Sequence, residues 1–156
     1  MGCDTSRDSL IYAGKYLPRH GDFPLVCADA SRLCFRSGTF DAVFCVQNGI
    51  SAFGVNRGEL VAEAMRVTKV GGNILFSSYS PRIWEERVAW FRAQSMAGLV
   101  GEIDEARTRA GTIVCTDGFR STTVSRAEFK RLFSNAGARP RFKDVDGSSV
   151  FCVVRR

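Results

Sequence analysis

Apolar residues along this chain fall in short unbroken runs separated by amphipathic stretches. Ala42 to Val46 is such a run, rich in β-branched and aromatic side chains, and it breaks into Gln47-Asn48-Gly49. Without polar alternation, both faces of that strand are expected to be buried, as inside a parallel sheet. Leu25-Val26-Cys27-Ala28 and Ile74-Leu75-Phe76 predict two further buried strands, and Met1-Gly2-Cys3 the tail of another. Asp4-Thr5-Ser6 supplies N-cap formers for a helix carrying Leu10, Ile11, Ala13, Tyr16 and Leu17, which stops at Pro18. Arg57 to Lys69 reads as an amphipathic helix with Leu60, Val61, Ala64 and Met65 on one face, closed by Gly71-Gly72 as its C-cap.

The second half continues the alternation. Ser80-Pro81 is an N-cap followed by proline at the first helical position. The helix beyond carries Trp84, Val88, Phe91 and Ser95 and runs to about Leu99. Thr112 to Cys115 and Ser121 to Val124 flank Asp117-Gly118, a hairpin signal. Ser125 and Glu128 form a capping box ahead of Phe129, Leu132 and Phe133, and that helix ends at Asn135-Ala136-Gly137. Arg141 to Val145 and Val150 to Val154, joined through Asp146-Gly147, make an antiparallel pair. The expectation is one α/β domain over residues 1–156, Rossmann-like, with a mostly parallel sheet and a C-terminal antiparallel hairpin.

Composition narrows the function. The chain of 156 residues is 45% hydrophobic and 24% charged, enough for a real core and against wholesale disorder. The net charge of +6 is spread along the chain, with no Lys/Arg block interleaved with aromatics, which argues against a nucleic-acid partner. None of the six cysteines is spaced C-x-x-C, and the single His20 has no partner at metal-ligand spacing, so no metal is expected. Cys27, Cys45 and Cys152 lie in apolar runs, where cysteine acts as a small hydrophobe. A reduced, cytoplasmic setting follows. No apolar run approaches membrane-spanning length, and no signal-peptide core is visible, so no membrane partner is expected.

In open α/β sheets ligands bind outside the carboxyl ends of the strands. That rule directs attention to Asp4, Asp29 and Gln47-Asn48. Each acid has a plainer reading: Asp4 as a helix N-cap, Asp29 as a turn former.

Taken together, these residues resemble the class I S-adenosylmethionine-dependent methyltransferases. Gly2-Cys3-Asp4-Thr5-Ser6, with Leu10 and Ala13, is similar to that family's second strand and following helix. Cys27-Ala28-Asp29-Ala30 resembles its third-strand motif. Leu33-Cys34-Phe35 with Gly38-Thr39-Phe40-Asp41-Ala42-Val43 resembles the approach to its fourth strand, and Lys69-Val70-Gly71-Gly72 the turn before its fifth. Ser125-Arg126-Ala127-Glu128-Phe129 through Ala136-Gly137 resembles the approach to the final hairpin. The resemblance implies S-adenosylmethionine as cofactor, with Asp4 at the ribose, Asp29 and Ala30 at the adenine, and Thr5, Ser6, Val46 and Gln47 as further cofactor-binding residues. It implies a small-molecule methyl acceptor, with Asn48 orienting it and residues 81–124 as an insertion covering it. Trp84, Trp90, Phe91 and Phe119 are candidates to line that pocket, although Trp84 and Phe91 read more simply as helix packing. No catalytic residue is singled out, because the sulfonium of the cofactor carries the chemistry.

One departure matters. The family's first strand and Gly-rich loop should precede Gly2 and are absent from this sequence. The expectation is either an N-terminally truncated enzyme or a degenerate relative, binding S-adenosylmethionine poorly or not at all. The Phe40 to Val46 strand would be left with an exposed edge, leading to a rearranged sheet or a homodimer through that edge. The competing function is a catalytically inactive methyltransferase-like fragment serving as an interaction module. A nucleotide-dependent oxidoreductase would need the same absent loop.

Overall fold

Ser6 has extended backbone and its hydroxyl accepts the Ser9 N–H, so the chain turns from strand β1 (Gly2–Asp4) into helix α1 (Arg7–Tyr16). The structure, a computed structural model, describes residues 1–17 and 21–156; the expected stop at Pro18, and His20, lie outside the described residues. Strand β2 (Leu25–Cys27) follows, then β3 (Phe40–Cys45), the short helix α2 (Gly49–Ala52), α3 (Arg57–Val67) and β4 (Thr68–Tyr79). A 3-10 turn (Pro81–Ile83) leads into α4 (Trp84–Met96), the two-residue strands β5 (Ile113–Val114) and β6 (Arg120–Ser121), and α5 (Arg126–Asn135). The hairpin β7 (Arg141–Val145) and β8 (Ser149–Arg155) ends the chain.

The expected α/β architecture is present, with its sheet in two parts. β1 and β2 pair in parallel as a sheet of two. β3 and β4 pair in parallel, and β8 and β7 extend that sheet antiparallel in the order β3-β4-β8-β7. Between β1 and β3 lies an apolar cleft of about 290 Å³, lined by Gly2 and Cys3 on one side and Ala42, Val43 and Phe44 on the other. Among the described residues the sheet has therefore not rearranged: β2 stays with β1, and β3 keeps one free edge. That free edge corrects the expectation that both faces of the Phe40 to Val46 stretch are buried, since Phe44 is 67% and Val46 42% exposed. Cys27 is exposed and α1 has no buried residue, although Ile11, Tyr12 and Tyr16 give it apolar surface.

The main core sits where α3 and α5 cover the larger sheet. Val61, Ile74, Phe76, Phe129, Phe133, Cys152 and Val154 are all essentially inaccessible. Phe76 and Phe133 meet edge to face at 5.5 Å, a pairing that adds to area burial. Phe133→Ala would cost about 3–5 kcal/mol by the usual cavity arithmetic. A second, smaller cluster of Val88, Phe91, Ile113 and Cys115 lies within residues 81–124, joining α4 to the β5–β6 hairpin.

Two local expectations are corrected. Helix α3 ends at Val67, where Thr68 is already extended, so Gly71-Gly72 is no helix cap. Instead residues 69–72 loop out of β4 opposite the single residue Asp41, and Lys69 closes the bulge by pairing with Asp41 at 2.8 Å. A side chain at Gly72 would meet the Asp41 carbonyl at 2.8 Å, which explains glycine there. The capping box at Ser125 is half formed: its hydroxyl accepts the Glu128 N–H, but the Glu128 carboxylate goes to Arg57.

Candidate functional site

Two parallel strands end side by side at Asp4 and Cys27, so Asp4 and the Asp29 just past β2 meet at one sheet end. Asp4, Thr5, Asp29 and Ala30 line a small recess of about 50 Å³ with Cys3, and Phe53 and Val55 form its apolar wall. Both acids do the local work of their plainer reading. Asp4 Oδ1 accepts the Ser6 N–H at 2.8 Å. Asp29 Oδ1 accepts both the N–H and the hydroxyl of Ser31 at 2.8 Å, and these donors hold its carboxyl below the usual carboxylate range. Each such bond uses only one carboxylate oxygen. The other oxygen of each acid can accept from a ligand's hydroxyl or amino groups, so the donor chemistry of a ribose diol and an adenine fits these residues. Ser6, by contrast, has its hydroxyl engaged at the helix N-cap.

The exit of β3 is strained. Gln47 (φ 52°) and Asn48 (φ 62°) are consecutive non-glycine residues in the left-handed region, a combination that surrounding structure must hold in place. Two serines at the end of β4 do so. Ser77 Oγ accepts the Gln47 N–H at 2.9 Å, and Ser78 Oγ donates to Asn48 Oδ1 at 2.7 Å. The kink leaves Val46 and Gln47 facing outward and turns Asn48 inward, where it is 1% exposed.

Asn48 therefore does not present its amide to open space, as a substrate-orienting residue was expected to. Its Nδ2 donates to Ser121 Oγ at 3.0 Å and to the Thr122 carbonyl at 2.8 Å. Ser78 Oγ also accepts the Val124 N–H at 2.8 Å. Asn48 is the hub that ties the exits of β3 and β4 to the segment after β6. Nearby, Arg57 donates to Glu128 at 2.5 Å, to Ser51 at 3.0 Å and to Thr122, pinning the start of α3 to α5 and the same segment.

Of the aromatic candidates, Trp84 lines a cavity of about 390 Å³ beside α4. Phe91 and Phe119 pack into the smaller core, and Trp90 is exposed, edge-on to Tyr79. The residue that sequence reasoning passed over is Arg87, which is 2% exposed. Trp84, Arg87, Val88 and Phe91 stand at i, i+3, i+4 and i+7, so a charge interrupting the apolar stripe was the available signal. Among the described residues no cluster of His, Cys, Asp and Glu could hold a metal, all six cysteines are free, and no helix is long and apolar enough to cross a membrane.

With this geometry in place, the relatives become informative. Residues 1–76 match the family described as a methyltransferase domain. A malonyl-[acyl-carrier protein] O-methyltransferase of Legionella pneumophila is 32% identical over 98 residues, which are 62% of this chain and 34% of that protein. The chain thus spans about a third of the length of that curated relative. Among solved structures, a SAM-dependent methyltransferase from Methanosarcina mazei superposes with a TM-score of 0.68 at 13% identity, covering 99% of this chain and 80% of that one. A 1,6-didemethyltoxoflavin N1-methyltransferase from Burkholderia thailandensis, solved with 1,6-didemethyltoxoflavin and S-adenosylhomocysteine bound, gives 0.61 at 11% identity, covering 99% and 59%.

Proposed function

We propose that the chain is a class I S-adenosylmethionine-dependent methyltransferase, a reading supported by the match of residues 1–76 to a methyltransferase domain, and that it binds this cofactor at the ends of β1 and β2 and directs its methyl group to a small molecule. The observation that carries the reading is the convergence of Asp4, Thr5, Asp29 and Ala30 on one recess with an apolar wall. In this reading Asp4 accepts from the ribose hydroxyls, Asp29 accepts from the adenine amino group, and Ala30, Phe53 and Val55 cover the ring. Thr5 and Ser6 shape the turn beneath the ribose, while Val46 and Gln47 face the cofactor from the kinked end of β3. When bound, the cofactor supplies an activated sulfonium methyl, so the protein's task is alignment. Asn48 serves the acceptor indirectly, by pinning the exits of β3 and β4. Residues 81–124 form the cover over the acceptor. A small-molecule acceptor is in keeping with the name of the B. thailandensis neighbour, and O-methylation of an acyl group with that of the L. pneumophila relative.

The test is incubation of the full chain with methyl-labelled S-adenosylmethionine and a panel of small organic acids, alcohols and amines. Label in an acceptor, with S-adenosylhomocysteine formed and Asp4→Ala depressing both, supports the reading. Absence of transfer together with absence of cofactor binding refutes it.

The open cleft beside β3 favours a second reading, in which this surface is a binding module rather than part of an enzyme. Phe44, Val46 and Phe53 expose apolar area around an unpaired strand edge, which invites pairing with another strand. A homodimer through this edge is the proposed assembly, and light scattering that shows a monomer at every concentration counts against it. The six free cysteines support the proposal of a reducing, cytoplasmic setting.

A further inference from the structure

Among the described residues, Arg87 is a buried cation without a counter-ion. Its guanidinium donates only to neutral acceptors: the Gly111 carbonyl at 2.9 Å, the Ser121 carbonyl at 3.0 Å and Ser121 Oγ at 2.9 Å. Its Nε has no partner among the described residues, and no carboxylate there lies within ion-pair distance of it. Three rings surround it, Tyr79 at 5.2 Å, Phe91 at 5.8 Å and Trp84 at 6.0 Å. Burial pulls the guanidinium below the ordinary arginine value; arginine nevertheless keeps its proton in proteins. Arginine is almost never fully buried unless paired, because an uncompensated buried charge is costly. Faces of aromatic rings offset part of that cost but supply no hydrogen-bond acceptor.

The missing acceptor has a place to stand. The cavity of about 390 Å³ is lined by Arg87 together with Ser80, Pro81, Trp84, Ala110, Gly111 and Thr123. Its walls bring a flat aromatic, hydroxyls and one cation together, which is the composition of a small-ligand site. It also connects to the proposed reaction site. Ser121 Oγ accepts from both Arg87 Nη2 and Asn48 Nδ2, so two hydrogen bonds link this cation to the kink after β3. A second cavity shares Ser80, Pro81 and Thr123 as a common wall and carries Arg82 and the Arg126–Asp144 ion pair, so Arg82 adds a further cation nearby.

We propose that the cavity beside α4 receives the carboxylate of a small organic acid, with Arg87 as its cationic anchor and Trp84 as its flat wall. This deepens the methyltransferase reading and rests on it for the ligand's role: the methyl acceptor is a carboxylic acid, or carries a second carboxylate that fixes its orientation. The alternative is that Arg87 is a structural rivet between α4 and the β5–β6 hairpin and meets no ligand.

The test uses the full chain, benzoate and benzamide as probes of equal shape and different charge, and the indole N–H of Trp84 as an NMR reporter. The chain has two tryptophans, and Trp90→Phe assigns the signal. Benzoate should shift the Trp84 signal saturably and bind at least tenfold more tightly than benzamide. Arg87→Met should remove that preference, and Arg87→Lys should retain part of it. Because Arg87→Met can unfold the hairpin, Ala110→Asp is the second variant: it places a carboxylate at the cavity wall, leaves Arg87 in position, and should suppress benzoate more than benzamide. Equal binding of acid and amide overturns the proposal, as does a preference that survives both substitutions or no response to either probe. S-adenosylhomocysteine binding is measured in parallel. Acid binding without cofactor binding leaves the anion site standing and the methyltransferase reading fallen, and the reverse result separates them the other way.

Discussion

Asn48 stands where the sequence places it, at the exit of β3, but its side chain turns inward. Its position after the buried strand was legible from Gln47-Asn48-Gly49, a polar exit from an apolar run. Its orientation was not, because the left-handed backbone at Gln47 and Asn48 is held by Ser77 and Ser78, some thirty residues away. Removing the amide leaves the Thr122 carbonyl without its side-chain donor and the buried Ser78 hydroxyl without its acceptor. Asn48→Ala is therefore expected to cost about 2–3 kcal/mol in urea denaturation, the scale for buried groups left unpaired. A loss under 0.5 kcal/mol would mean that the network relaxes around the gap and that Asn48 is no hub. Arg87 is the reverse case, legible in principle from a charge inside a helical stripe but meaningful only once Gly111 and Ser121 are seen to fold back onto it.

Elements built from local signals match the pattern of the chain closely: the Ser125 cap, the Phe129–Leu132–Phe133 stripe of α5 and the β7–β8 hairpin all stand where the residues place them. Elements that depend on distant partners do not. The Gly71-Gly72 pair became a bulge because β4 starts directly at Thr68 and must stay in register with β3. The loop from Leu33 to Ser37 is likewise fixed from afar. Arg66 donates to the carbonyls of Leu33 and Phe35, and Glu63 accepts the Leu33 N–H at 2.7 Å. The Arg66 bonds, and more weakly the Leu33 N–H, hold the Glu63 carboxyl below its usual range, against an opposing push from burial. A folded-state value below the unfolded one, about 4.3 for glutamate, means the contribution is complete above that pH and is lost as pH falls through the folded value. Wild type should therefore exceed Glu63→Gln in stability at pH 7, with the gap closing as pH drops below about 4. A gap that does not change with pH contradicts the assignment.

At the scale of the molecule, the α/β class and the strand sequence could be read from alternating runs, and the match of residues 1–76 to a methyltransferase domain agrees with that reading. What no local pattern conveys is which strand edges go unpaired. An apolar run such as Ala42 to Val46 looks the same whether it has one neighbour or two, and among the described residues β3 pairs with β4 alone, with the cleft toward β1 on its other side. The two halves of the proposed site consequently sit on separate sheets: Asp4 and Asp29 on the β1–β2 pair, Gln47 and Asn48 at the end of β3. The account stands on one ligand joining them. The most direct measurement is an NMR titration of the full chain with S-adenosylhomocysteine, which registers even weak binding residue by residue. The account predicts saturable shifts in the amides of Asp4, Thr5, Ser6, Asp29, Ala30 and Gln47 together, weakened by about 1.5–3 kcal/mol of affinity in Asp4→Ala, the scale for hydrogen bonds to a charged group. Shifts confined to other regions, shifts undiminished in Asp4→Ala, or no shifts at all would contradict it.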